Sequence, residues 1–94
     1  MRTPETKDTE DLYRTILRLN GLSDARKFFR DLLTENEIAE MTERWKAARM
    51  LAGGHSYAEI ADETGLSSRT IARVARWLKR GKGGYALLLK RVRD

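Results

Sequence analysis

The chain has 94 residues, a formal net charge of +5, 35% charged side chains, one proline, one histidine and no cysteine. This composition excludes disulfides, thiolate metal sites and a multi-histidine metal centre, and no cluster of nucleophile, base and metal ligands suggests an enzyme. No apolar run has signal-peptide or membrane-spanning length, so the expectation is a cytoplasmic, all-α single domain over residues 1–94 with no membrane partner.

Met1–Lys7 is polar and is expected to fray. A first helix is predicted over Asp8–Asn20, with Leu12, Ile16 and Leu19 on one side and Tyr13 and Leu17 beside it. Asp8, Glu10 and Asp11 suit its first turn, where the helix dipole favours negative charge, and Asn20-Gly21 is a stop signal. Ser23 is the expected N-cap of a second helix over Asp24–Leu33, with Leu22 as a hydrophobic staple. That helix would bury Ala25, Phe28, Phe29, Leu32 and Leu33.

Thr34 and Glu37 have capping-box spacing for a third helix running to Ala52, where Gly53-Gly54 ends it. Its apolar stripe is Ile38, Met41, Trp45, Ala48 and Ala52. Together with the apolar faces of the first two helices, the stripe is more than one small helix-turn-helix needs to cover. A second copy of the chain is the simplest cover, and a compact monomeric bundle is the alternative.

Ser56 to Leu78 carries the strongest motif. Ser56 is placed to cap a helix over Tyr57–Thr64 with Glu59 as box partner, Gly65-Leu66 turns the chain, and Ser67 caps a helix reaching Lys79. Ala61 is small where the helices must cross, Gly65 suits a left-handed backbone, and Ile71 reaches back between the helices beside Ile60, Leu66 and Val74. These offsets match a helix-turn-helix, whose second helix enters the DNA major groove. A glycine-rich basic connection, KRGKGG, then leads to a last helix over Tyr85–Arg93.

Charge is unevenly distributed. Residues 1–40 hold seven Lys/Arg against nine Asp/Glu, whereas residues 41–94 hold twelve against five. From Gly65 onward nine basic residues face a single acidic one, Asp94. A polyanion is the expected partner of this half, and double-stranded DNA fits the motif. For base reading the exposed first turns of the motif's second helix offer Ser67, Ser68, Arg69, Thr70 and Arg73, with Ala72 able to touch a thymine methyl. Arg69 is the leading base reader; its plainer alternative is a surface ion pair with Asp62 or Glu63. Phosphate contacts would fall to Ser56, Tyr57, Arg76, Lys79, Arg80 and Lys82, each of which could equally be an ordinary solvated side chain. Trp45 and Trp77 lie on apolar helical faces and are expected in the core, and His55 in an exposed loop.

The run LTENEIAEMTERWKAARMLAGGHSYAEIADETGLSSRTIARVARWLKRGKGGYALLL resembles the Trp repressor superfamily, in its YerC/YecD-like branch. The resemblance covers nearly the whole chain. It implies a six-helix, intertwined homodimer with two DNA-reading heads: a transcriptional regulator of repressor type binding a palindromic operator. It also implies an effector pocket, with Arg44 and Arg73 in the positions that sandwich the corepressor indole and Thr34 at a lining position. Val74 and Trp77 depart from the family's glycine and serine, and the link before the motif is one residue shorter than in Trp repressor. Valine narrows such a pocket and the Trp77 indole would fill it, which argues against L-tryptophan and leaves a different small effector or none. No fixed cofactor is implied. The competing reading of the chain is a helical protein-interaction adaptor whose basic face meets an acidic protein.

Overall fold

The computed structural model describes residues 6–92, and all regular structure in them is helical: α1 (Lys7–Ile16), α2 (Leu22–Leu32), α3 (Glu35–Ala52), α4 (Tyr57–Thr64), α5 (Ser68–Arg80) and α6 (Gly84–Val92). Two compact units divide the chain between Glu35 and Asn36, the first holding α1 and α2 and the second α3 to α6.

In the first unit, α1 begins earlier than the sequence suggests because Thr6 caps it, its hydroxyl accepting the Thr9 N–H at 3.1 Å. Lys7 is therefore helical, while residues 1–5 of the expected frayed segment lie outside the described residues. The helix ends at Ile16, not Asn20. Beyond it Arg18 and Leu19 bond back three residues, to Thr15 and Ile16, and the Asn20 N–H is taken by the Asp24 carboxylate at 2.9 Å. Gly21, at φ +94°, then turns the chain straight into α2, so Ser23 and Leu22 fall inside the first turn and do not act as cap and staple. Leu22 is exposed. The Phe28 and Phe29 rings meet edge to face at 5.5 Å, but neither α1 nor α2 holds a buried residue.

In the second unit the core is small: Ala47 and Ala48 of α3, Ile60 of α4, and Ile71 and Val74 of α5, all at most 2% exposed. Trp45, Met50, Leu51, Ala61, Leu66 and Tyr85 pack around it. The crossing of α4 and α5 is as the sequence indicates, with Ile71 fully buried and small Ala61 beside it. The α3 stripe is corrected. Its buried face centres on Ala47 and Ala48, while Met41 and Ala52 are exposed, because the core built by α4 and α5 meets only part of α3. Trp45 stacks on Tyr85 of α6, ring centroids 6.3 Å apart.

Local signals set the helix ends. After α3, the Gly54 N–H bonds Leu51 and the His55 N–H bonds Met50, with Gly54 at φ +89°, a Schellman stop. α6 begins one residue earlier than expected, at Gly84, with the Leu87 N–H closing on the Gly83 carbonyl at 2.9 Å. Its expected end, Arg93, lies outside the described residues.

Candidate nucleic-acid interface

The start of α4 is held by a complete capping box. The Ser56 hydroxyl accepts the Glu59 N–H at 3.1 Å, and the Ser56 N–H donates to the Glu59 carboxylate at 2.8 Å. That backbone donation chiefly holds the Glu59 carboxyl below its ordinary range; desolvation opposes it, and the nearby His55 imidazole, 3.4 Å away, reinforces it. His55 is exposed, as expected. The α4 to α5 corner is Gly65 at φ +76°, its N–H bonded to Ala61 at 2.8 Å. Thr64 stiffens the corner, donating to the Ile60 carbonyl at 2.7 Å and accepting the Leu66 N–H at 3.1 Å.

Ser67 caps α5. Its hydroxyl accepts the Thr70 N–H and also lies 3.1 Å from the Thr70 hydroxyl. The two side chains are thus engaged with each other, and Thr70 is half-buried. Ser68, Arg69, Ala72 and Arg73 stand exposed at the same end of the helix.

Along α5, Arg69, Arg73, Arg76 and Arg80 follow one another in alternating steps of four and three, forming one stripe. All four are exposed, whereas Ile71 and Val74 occupy the opposite, buried side. No acidic residue lies on α5, and among the described residues none of these arginines makes an ion pair; Glu63 is engaged by Lys46 at 3.1 Å instead of by Arg69. Toward the C-terminal half, Tyr57 of α4 joins Ala72, Ala75, Arg76, Lys79 and Arg80 around a shallow groove. Four of the expected phosphate contacts are gathered there, and Lys82 is exposed on the connection beyond. Ala75, part of the groove floor, was not among the candidates. Its small size between Ala72 and Lys79 was the available signal.

Five residues were expected around an effector pocket: Thr34, Arg44, Arg73, Val74 and Trp77. Thr34 belongs to the first unit and the other four to the second. The Arg44 guanidinium lies 3.9 Å from Glu40, and Val74 is buried in the core. No hydrogen bond, ion pair or ring contact joins Arg44, Arg73, Val74 and Trp77 to one another. Trp77 corrects the expectation of a core position: at 47% exposure it sits at the edge of the buried face of α5, three residues past Val74. The chain passes close to it, since a Cβ on Gly81 would collide with the Trp77 carbonyl oxygen and come within 3.0 Å of its ring.

A tight two-helix corner whose second helix is apolar inward and whose outward charges are all cationic defines an all-α helix-turn-helix protein of the DNA-binding class. A family model described as Trp repressor protein matches residues 7–93, and the chain belongs to that family. YerC of Bacillus subtilis (strain 168), an uncharacterized protein, is 42% identical over 88 residues, covering 94% of this chain and 85% of YerC. A solved TrpR like protein from Eubacterium eligens ATCC 27750 is similar at TM-score 0.89 and 40% identity, over 94% of this chain and 91% of that one. A solved Staphylococcus aureus structure is similar at TM-score 0.89 and 36% identity, over 95% and 89%.

Proposed function

We propose that the chain is a sequence-specific transcriptional regulator that binds a palindromic operator as a homodimer and represses. Membership of the Trp repressor family supports DNA-binding regulation at the coarse level. The observation that carries the finer reading is the α5 stripe, Arg69, Arg73, Arg76 and Arg80, exposed and without acidic neighbours on its helix. In this reading Arg69, with Ser68 and Ala72, reads base edges, since arginine donates a bidentate pair to guanine O6 and N7. Arg73 is shared between base reading and a candidate effector pocket. The groove around Tyr57, Arg76, Lys79 and Arg80 takes the phosphate backbone, where charge and a hydroxyl suffice.

Dimerisation is supported by apolar surface that one copy leaves uncovered. Leu12, Tyr13, Leu17, Leu22 and Leu32 of the first unit are exposed, as are Met41, Leu87, Leu88 and Val92 of the second. In the second unit Trp45, Arg49, Ala52, Gly53, Leu89 and Val92 line a further groove of mixed polarity. Two copies would present two α5 helices about one DNA turn, ~34 Å, apart.

Selection from a random duplex library, followed by salt titration, tests the reading. One palindrome should be enriched, with affinity falling steeply between about 50 and 200 mM salt. Equal, weak binding to every duplex would overturn it in favour of a protein-binding adaptor.

A further inference from the structure

In the second unit Lys46 of α3 faces Glu63 of α4, with Nζ 3.1 Å from Oε1. This pair joins two helices, whereas Arg44–Glu40 stays within α3 and His55–Glu59 within one turn at the start of α4. Its position along each helix is informative. Lys46 directly precedes Ala47 and Ala48, the fully buried contribution of α3 to the core with Ile60, Ile71 and Val74. Methyl side chains bring helices close but form shallow ridges, so such a contact resists separation better than rotation. Glu63 directly precedes Thr64, whose hydroxyl ties the last turn of α4 to the corner at Leu66. The pair therefore fastens α3 to the corner from which α5 departs.

We propose that Lys46 and Glu63 form a positioning clasp that sets the angle at which α5 is presented relative to α3. Both side chains are about half exposed, so the clasp adds little to overall stability. Its effect is angular: together with Trp45, Met50 and Leu51, which also pack against the core, it restrains rotation of α4 about the alanine contact. The consequence for DNA, a fixed spacing between half-sites, rests on the dimeric operator-binding reading; the angle itself does not.

Residual dipolar couplings of backbone amides in the free protein measure the α3-to-α5 orientation directly. Lys46→Gln and Glu63→Gln keep side-chain size and remove the pair. Each should change the couplings of α4 and α5 relative to α3, and the exchanged double variant Lys46→Glu/Glu63→Lys should restore them. Raising salt to about 1 M, where the screening length is ~3 Å, should move the unaltered protein the same way. Couplings that stay unchanged in both single variants and in high salt overturn the clasp, as does failure of the exchanged pair to restore them.

The second readout is selection from duplexes with inverted half-sites and a randomised spacer. Each single variant should lose about three-fold of the discrimination between the best spacer and one a base pair longer, and the exchanged pair should regain it. A pair that only stabilised the fold would shift affinity for all spacers together. If the couplings behave as expected but the unaltered protein prefers no sequence and no spacing, the clasp stands and the operator-binding reading falls.

Discussion

The Ser67 hydroxyl accepts the Thr70 backbone N–H at 3.1 Å and lies 3.1 Å from the Thr70 hydroxyl, so two candidate base readers are tied to each other at the start of α5. Ser67→Ala should cost about 1 kcal/mol in urea unfolding, the usual scale for losing a helix cap. Its effect on DNA should be a uniform loss of affinity, with the preferred sequence unchanged in library selection.

Arg69 and Lys79 should behave differently. Arg69 stands exposed in the first turns of α5, whereas Lys79 lines the groove with Tyr57 and Arg76. Arg69→Ala should relax preference at one base position by ~1–3 kcal/mol. Lys79→Ala should weaken all duplexes alike and reduce the salt slope by about one. Quantitative binding to a panel of single-base operator variants separates the two outcomes.

The Glu59 carboxyl is held below its ordinary range chiefly by the Ser56 N–H, so its contribution has a definite pH dependence. A lowered folded value means stabilisation is present above the unfolded glutamate pKa, about 4.3, and is lost as pH falls through the folded value. Amide exchange at Ser56, whose N–H donates to this carboxylate, should therefore accelerate in acid below that range, more than global unfolding explains. In Glu59→Ala this extra acid sensitivity should disappear.

Exposed apolar side chains on both units predict association. Sedimentation at micromolar concentration should give about twice the 10.8 kDa chain mass. A mass near the single-chain value would remove the dimer and with it the palindrome.

Val74, only 2% exposed, is packed into the core with Ala47, Ala48, Ile60 and Ile71 instead of leaving space there. Calorimetry with L-tryptophan should accordingly show no binding at micromolar strength. The variants Val74→Gly and Trp77→Ser, together, are the combination expected to open such a site.

The α3, α4 and α5 boundaries and the helix-turn-helix were legible because their signals are local: Ser56 with Glu59, Gly65 at a left-handed corner, Ser67 as a cap, and Gly53-Gly54 as a stop. The basic face of α5 was legible for the same reason, since its arginines recur at helical spacing. The first unit was read less well. Ser23 looked like a cap by composition, but Gly21 at φ +94° and the Asp24 bond to the Asn20 N–H start α2 earlier. Only the tertiary structure decided which part of the α3 stripe is core, that Trp77 is half exposed, and that Tyr57 joins Arg76, Lys79 and Arg80 around one groove. Those facts depend on how α3, α4, α5 and α6 pack, and packing is set by contacts between residues far apart in the chain, which no helical period encodes.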